Sequence, residues 1–278
     1  MSNEVLNAMR LPVDSLIIVA LAVAWLFIQP GPEAGIALIA SSSALFYRWR
    51  KNKTEIVYDF TYPAEDALKF YSAIAESYDS RNSPSLQKSH LSTLEKIESF
   101  LENKSNWSVL DLGGGTGKLI ALRFFNNPNG AWVVVDGSPA MIGEFSKNLS
   151  GSKLKIKTSI EEIESYLDRP EDEKHDVVLV SYLLTSMTKN PDWLKLVSKV
   201  KDEGRLIIVD AEPSYTALHP YYSVSVNNKI HALKTRPVSG TTLIEEIDKV
   251  GFTMESAVTI KNGENPYAYI YVFKKKHT

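Results

Sequence analysis

The sequence predicts a doubly wound α/β fold, in which helices cover both faces of a seven-stranded sheet that is mostly parallel and ends in an antiparallel hairpin. Two observations carry this prediction. Five short runs rich in Val, Ile and Leu alternate with helical patterns between residues 108 and 210. Two further strands flank Asn262-Gly263, a dipeptide typical of a tight hairpin turn. An N-terminal apolar helical hairpin is expected to precede this domain.

The first 53 residues differ in character from the rest of the chain. Two apolar runs, at 15–28 and 34–47, are separated by a Pro-Gly-Pro turn. Fourteen helical residues extend about 21 Å, whereas the hydrocarbon core of a bilayer is roughly 30 Å thick. Each run therefore either recruits flanking residues to span the bilayer or lies in its interface, and the sequence leaves both arrangements open. A cleaved signal peptide and a buried hairpin of the soluble core are the alternatives.

A cluster of cations closes this segment. Four basic residues fall within six positions: Arg48, Arg50, Lys51 and Lys53. The cytoplasmic flanks of membrane segments are enriched in Lys and Arg, so the cluster predicts that the following domain lies on the cytoplasmic face. We therefore expect a membrane-associated segment over 1–53, with the lipid bilayer as its partner, and a catalytic domain over 54–278.

The composition narrows the functional classes. The 278 residues carry a formal net charge of −2, so the chain lacks the strongly basic balance on which nucleic-acid binding depends, and nucleic acid is not an expected partner. The sequence contains no cysteine, which excludes disulfides, thiolate metal sites and a cysteine nucleophile.

The predicted strands follow one another at regular intervals in the catalytic domain. The parallel strands are expected at 108–112, 131–136, 154–158, 176–181 and 205–210, and the hairpin strands at 255–260 and 267–274. Two amphipathic helices precede the first strand, around residues 68–78 and 91–101. Three helix starts carry capping signals: Ser138 before Pro139, Asn190 before Pro191, and Ser159 with Glu162.

The junction after the first of these strands is rich in glycine. It reads Asp111-Leu112-Gly113-Gly114-Gly115-Thr116-Gly117 and runs into a helix near Lys118. Glycine permits positive φ and lets a ligand approach main-chain N–H groups at a helix start. A phosphate-binding P-loop is excluded because Leu112 and Leu119 stand where that motif needs Gly and Ser or Thr. A dinucleotide fingerprint fails at its last glycine, where Lys118 stands.

The arrangement D-x-G-x-G-x-G resembles motif I of the class I S-adenosylmethionine (SAM)-dependent methyltransferases. The resemblance implies that SAM is the cofactor. It also implies that Gly113, Gly115 and Gly117 approach the methionine part of SAM, and that Asp111 faces its ammonium group. Asp136 ends the next strand, nineteen residues after Gly117. Related nucleotide-binding folds place an acid there that takes the ribose hydroxyls.

The residues after Asp136 extend the resemblance. Asp136, Ser138 and Met141 are similar to the family's D-x-S-x-x-M segment, which implies that Met141 covers the adenine. The acid that the family usually carries after the third strand is absent here. Ser159 or the backbone of Ile160 is expected to contact the adenine in its place, although Ser159 could instead cap a helix.

Two more segments look like parts of this family. Ser181 lies in a segment similar to the one whose backbone runs beside the sulfonium. Tyr71 and Tyr78 match the lead-in Y-x-x-x-A-x-x-Y-D of small-molecule methyltransferases, which implies that they close over SAM. Packing of these two tyrosines in the core is the alternative.

Methyl transfer from a sulfonium needs alignment and a water-poor pocket, and no metal is expected. A general base is needed only where the acceptor loses a proton. His219 is the candidate base, because it lies in the long 211–239 segment after the fifth parallel strand. Asp210 and Glu212, at the end of that strand, are alternative catalytic residues. A solvated or hydrogen-bonded side chain is the other interpretation of His219.

The expected function is therefore membrane-associated, SAM-dependent methylation of a hydrophobic or lipid-like small molecule. Membrane attachment favours such an acceptor, because enzyme and substrate would then share one phase. Whether O, N or C is methylated stays open. The alternatives are a dinucleotide-dependent oxidoreductase and a catalytically silent SAM-fold membrane scaffold.

Overall fold

A computed structural model describes residues 23, 24, 36, 39, 57–80, 83–169 and 173–276. Apart from residues 23, 24, 36 and 39, the predicted apolar hairpin lies outside the described residues, as do its cation cluster and the boundary between residues 53 and 54. Within the described part of the chain, no helix has both the length and the apolar character that crossing a bilayer requires.

The main sheet has seven strands in the order β4-β3-β2-β5-β6-β10-β9. Their bounds are β2 Trp107–Leu112, β3 Gly130–Asp136, β4 Lys155–Ile160, β5 His175–Ser181, β6 Val200–Ala211, β9 Phe252–Asn262 and β10 Asn265–Lys275. Strands β2 to β6 are parallel, and β10 runs antiparallel between β6 and β9. The predicted seven-stranded, Rossmann-like sheet with its terminal hairpin is thus confirmed. Strand β4 lies one to two residues later than predicted, and β6 begins earlier.

The described residues from 57 to 276 form eight α-helices. They are α1 Ala67–Ile74, α2 Pro84–Leu101, α3 Lys118–Arg123, α4 Pro139–Asn148, α5 Ile163–Leu167, α6 Trp193–Ser198, α7 Pro213–Leu218 and α8 Gly240–Lys249. Short 3₁₀ turns cover Ala64–Asp66, Ala75–Ser80 and Leu184–Ser186. The helices pack on both faces of the sheet because both faces of its central strands are apolar: Val109 joins one buried cluster, and Leu110 and Leu112 join another.

One of the three predicted helix caps is confirmed. The Ser138 side chain caps α4 by accepting a hydrogen bond from Met141 N. The predicted cap at Asn190 is wrong, because Asp192 caps α6 by accepting from two backbone N–H groups. The predicted cap at Ser159 is also wrong. Ser159 stays in β4, where it pairs with Val135, and α5 begins at Ile163, four residues after Ser159.

A second, three-stranded sheet was not predicted. Its order is β1-β8-β7, with β1 at Phe60–Tyr62, β7 at Tyr221–Val226 and β8 at Lys229–Lys234. Strand β1 pairs in parallel with β8, which follows it by about 170 residues, and no local pattern reveals such a pairing. The 211–239 segment, expected as a long insertion, therefore consists of α7 and a β-hairpin. This sheet and α1 enclose a third apolar cluster that includes Phe70, Met141 and Leu233.

Candidate functional site

The glycine loop, residues 113–117, leaves β2 at the carboxyl edge of the sheet. Gly113, Gly115 and Gly117 have φ values of +77°, +56° and +74°, which explains glycine at each position. A Cβ atom on Gly115 would meet nothing within 4 Å, so its backbone is open to the space above the sheet. A Cβ on Gly117 would lie 2.6 Å from Phe145. Gly117 therefore serves helix packing, whereas Gly115 leaves room for a ligand.

Asp136 is held by the backbone on both sides. Its Oδ2 accepts a hydrogen bond of 2.9 Å from Gly115 N, and its Oδ1 accepts one of 2.8 Å from Ser138 N. Burial raises the pKa of this carboxyl, while the two backbone hydrogen bonds lower it. The carboxylate is thus fixed in orientation at the end of β3, beside the open glycine loop.

A cavity of about 420 Å³ lies between the glycine loop and α1. Its lining brings together seven of the residues that the sequence predicts for the cofactor: Tyr71, Tyr78, Gly113, Gly115, Asp136, Met141 and Ser181. These residues come from α1, the following 3₁₀ turn, the glycine loop after β2, the ends of β3 and β5, and the first turn of α4. The carboxyl ends of parallel strands are where open α/β sheets bind ligands.

Two of the remaining predicted residues lie beneath this lining. Ser138 is fully buried, caps α4 and shares a hydrogen bond of 3.0 Å with Ser72 in α1. Asp111 is buried under the glycine loop, where its Oδ2 accepts a hydrogen bond of 3.3 Å from Trp132 Nε1. Its Oδ1 has no hydrogen-bond partner among the described residues. Burial raises the pKa of Asp111 to about 7.

The predicted adenine contacts after the third parallel strand do not line the cavity. Ile160 is 53% exposed. Ser159 is hydrogen-bonded to Glu161 at the edge of the sheet. The lining in this region comes instead from Glu162, Ile163 and Glu164, at the start of α5. The apolar pattern did not reveal these residues, because β4 continues two residues beyond its predicted end at 158.

Residues 64–80, which we call the lid segment, form another wall of the cavity. Tyr71 Oη lies 2.7 Å from Ser186 Oγ, so α1 is joined to the turn after β5. Burial raises the pKa of Tyr71 far above its usual value, so its phenol remains protonated. The far end of the lid segment is tied by Asp79, which accepts hydrogen bonds of 2.8 Å from Thr116 Oγ1 and Asn148 Nδ2.

The three predicted catalytic residues lie outside the lining of this cavity. His219 is exposed at the end of α7 and contacts Tyr215, with ring centroids 4.5 Å apart and ring planes tilted by 42°. Glu212 is partly buried at the start of α7, and burial raises its pKa. Asp210 is completely buried and is hydrogen-bonded to Thr185. The structure therefore does not bring these side chains to the cofactor candidates, and their catalytic roles stay predictions.

Among the described residues, no group of three or more His, Asp or Glu side chains is placed to hold a metal ion. The expectation of metal-free chemistry stays a prediction.

Comparison with known proteins identifies the family. Residues 103–256 match the family model of the methyltransferase domain, which covers more than half of the chain. The chain belongs to this family. The match confirms the predicted enzyme class, a SAM-dependent methyltransferase with SAM as its cofactor, and it does not favour the dinucleotide-dependent oxidoreductase. No curated protein matches the sequence.

Solved structures with low sequence identity share the fold. The N-methyltransferase NodS from Bradyrhizobium japonicum, in complex with S-adenosyl-L-homocysteine (SAH), superposes with a TM-score of 0.54 at 14% identity, over 77% of this chain and 99% of that one. A SAM-dependent methyltransferase from Clostridium acetobutylicum gives 0.52 at 13% identity, over 75% and 98%. The [4+2]-cyclase SpnF gives 0.56 at 12% identity, over 80% and 100%. Since this fold also serves a cyclase, the fold alone does not fix a reaction.

Proposed function

We propose that this methyltransferase is membrane-associated and methylates a hydrophobic or lipid-like small molecule, with SAM bound in the cavity beside the glycine loop. The observation that carries the cofactor position is Asp136, whose two carboxylate oxygens are oriented by Gly115 N and Ser138 N next to an open glycine backbone.

The residues around the cavity fit an adenosyl group. Each oxygen of Asp136 accepts one backbone hydrogen bond and keeps a lone pair, which suits two neighbouring ribose hydroxyls. Met141 and Ile163 offer apolar surface for the adenine ring, and Glu162 or Glu164 offers an acceptor for its amino group. These carboxylates take the place that the sequence assigned to Ser159 and Ile160.

The opposite end of the cavity fits the methionine part. Gly113 and Gly115 present main chain without a side chain, and Ser181, Tyr71 and Tyr78 complete this end. Beneath it, the unpaired Oδ1 of Asp111 is a buried carboxylate oxygen that a cationic ligand would stabilise. Such a buried acid below an open glycine loop agrees with the ammonium contact proposed for Asp111.

The cavity can also exclude water from the reacting atoms. SAM supplies an electrophilic methyl group, and its positive charge is lost on transfer, so a closed and weakly polar pocket favours the reaction. Tyr71 and Tyr78 cover this end of the cavity from the lid segment. The hydrogen bond between the hydroxyls of Tyr71 and Ser186 holds that cover in place.

The apolar character of the acceptor is supported by the remaining lining and by the N-terminal sequence. Leu68, Leu183 and Met187 give the cavity apolar walls, with Glu65 and Lys189 as charged neighbours. The apolar runs at 15–28 and 34–47 would keep the enzyme, residues 54–278, beside a bilayer, and the basic cluster after them would place it on the cytoplasmic face. An acceptor dissolved in that bilayer would then reach the enzyme without passing through water.

Two experiments test this function. Purified full-length protein is heated with SAM, SAH or NAD, and we expect SAM and SAH to raise the melting temperature while NAD does not. Stabilisation by NAD alone would contradict the cofactor site. Protein incubated with methyl-labelled SAM and a membrane lipid extract should transfer label into the organic phase. Label that appears only with a water-soluble extract would contradict the lipid-like acceptor.

The membrane association has its own test. Removal of residues 1–53 should move the protein from the membrane pellet to the soluble fraction with its SAH affinity unchanged. Continued pelleting of the truncated protein with membranes would contradict the proposed anchor.

A further inference from the structure

The segment after β5, residues 184–190, forms one side of the cavity. Ser186, Met187, Thr188 and Lys189 all line it, yet only the first three residues of the segment form a regular turn. A backbone without a helical or sheet ladder needs other partners to hold one conformation. Two charged side chains from distant parts of the chain supply these partners.

Asp210, at the end of β6, accepts two hydrogen bonds from Thr185 in this segment. Its Oδ1 accepts a hydrogen bond of 2.7 Å from Thr185 Oγ1, and its Oδ2 accepts one of 3.1 Å from Thr185 N. Ala211 N donates a further bond of 2.8 Å to Oδ1. The carboxylate is completely buried and faces donors, which makes it an acceptor for the backbone and leaves it outside the cavity lining.

Arg236, which follows β8, donates hydrogen bonds to oxygen atoms of the same segment. Its Nε donates a hydrogen bond of 2.7 Å to Met187 O, and its Nη2 donates one of 2.6 Å to Asn190 Oδ1. Its backbone N donates to Thr185 O at 3.0 Å. The planar guanidinium can direct several N–H groups at fixed angles, which a lysine cannot do.

Between these two anchors lies Ser186, whose Oγ is 2.7 Å from Tyr71 Oη. We propose that Asp210 and Arg236 are positioning residues that clamp segment 184–190 from two sides, and that this clamp holds Ser186 where it can fasten Tyr71 over the cofactor. Asp210 thus serves the cavity without touching its contents. This inference rests on the proposed position of SAM in the cavity.

The test measures SAH binding by full-length protein, so no acceptor is required. Asp210→Asn keeps the shape but turns one oxygen into an N–H₂ group that faces donors. Arg236→Lys keeps the positive charge but loses the planar guanidinium and its several fixed N–H directions. We expect each variant to weaken SAH binding about tenfold, equivalent to about 1.4 kcal/mol. Arg205→Lys is the matched control, because Arg205 pairs with Glu255 on the surface, and its SAH affinity should stay unchanged.

Combining the Asp210 and Arg236 substitutions in one protein distinguishes a positioning role of these residues from a general loss of stability. Because both residues hold one segment, the double variant should bind SAH no more than about twentyfold more weakly than wild type, instead of the about hundredfold that independent effects would give. Tyr71→Phe should likewise weaken binding in the wild-type background but have almost no further effect in the Asp210→Asn background. If Asp210→Asn only lowered the overall stability, Tyr71→Phe would weaken SAH binding in the Asp210→Asn background as much as it does in wild type.

The results that overturn the clamp are equally specific. If wild type binds SAH and each single variant binds it equally tightly, the clamp is overturned, while the proposed cofactor site still stands. Fully multiplicative effects would also overturn it. Should Asp210→Asn fail to fold, Thr185→Val removes only the hydroxyl donor and should weaken SAH binding about threefold; unchanged affinity would then be the contradicting result. Wild type that does not bind SAH would overturn both proposals.

Discussion

The glycine loop and the lid segment are two walls of one cavity, and they are held in place in different ways. The glycine loop follows directly from β2, and its shape is set by positive φ at three glycines within five residues. The lid segment packs Phe70 in the third apolar cluster, and its cavity side is fixed by single side-chain hydrogen bonds to distant positions, such as Tyr71 with Ser186 and Asp79 with Thr116. A wall made by backbone geometry tolerates little change, whereas a wall held by single hydrogen bonds can be loosened one bond at a time.

The largest effect is expected on the glycine-loop side, at Asp136. Asp136→Asn should weaken SAH binding about 1000-fold, or roughly 4 kcal/mol, because one oxygen becomes an N–H₂ group that cannot accept a hydrogen bond and the other oxygen loses its charge. Isothermal titration calorimetry measures this change. Asp192→Asn is the control, since Asp192 caps α6 and does not line the cavity, and its SAH affinity should equal that of wild type. A loss of SAH affinity of less than tenfold in Asp136→Asn would contradict the larger role given to the glycine-loop side of the cavity.

The next effect concerns the buried acid under the glycine loop. The pKa of Asp111 is raised from 3.8 to about 7, so folding favours its protonated form. The contribution of this group to the free energy of unfolding is complete below pH 4 and is lost as the pH rises to about 7, by roughly 4 kcal/mol. Asp111→Asn should flatten the dependence of the unfolding free energy on pH in that window. Chemical denaturation at a series of pH values measures it, and identical slopes would contradict the assignment.

Two glycines of the loop should respond differently to the same substitution. Alanine pays a similar backbone cost of about 1–2 kcal/mol at both positive-φ positions. Gly117→Ala additionally pushes against Phe145 and should lower the melting temperature more than Gly115→Ala does. Gly115→Ala should weaken SAH binding about tenfold, because its Cβ enters the cavity. Equal melting temperatures, or SAH binding unaffected by Gly115→Ala, would contradict the division of roles.

The smallest effect is expected on the lid segment. Tyr71→Phe removes one hydroxyl and its hydrogen bond to Ser186 and keeps the ring, so SAH binding should weaken about fivefold, or about 1 kcal/mol. Ser186→Ala should have the same effect, and the double variant should be no weaker than either. An effect as large as that of Asp136→Asn would show that the lid segment is the principal wall.

The same contrast explains what could be predicted from the sequence. The five parallel strands, the terminal hairpin and the glycine loop are encoded by apolar runs and turn residues within a few positions, and the structure confirms them. Asp136 could be found because the end of a strand places its side chain at the sheet edge. By contrast, the pairing of β1 with β8 joins residues such as Phe60 and His231, and no local pattern reveals it.

At two places the structure puts predicted site residues outside the cavity lining, and both differences have local causes. The sequence ended β4 too early, so it proposed Ser159 and Ile160 where Glu162 and Glu164 line the cavity. It also treated Asp210 as a catalytic candidate because the residue ends a strand at the ligand-binding edge. Its burial and its bonds to Thr185 depend on the path of a loop 25 residues away, which periodicity cannot supply.

The central claim is that the glycine loop and Asp136 together hold the adenosyl group. The most direct measurement is a crystal structure of the full-length protein with SAH. The account predicts ribose hydroxyls within hydrogen-bond distance of the Asp136 carboxylate and the amino-acid end of SAH against Gly113 and Gly115. SAH bound elsewhere, or bound in the cavity without contact to Asp136, would contradict it.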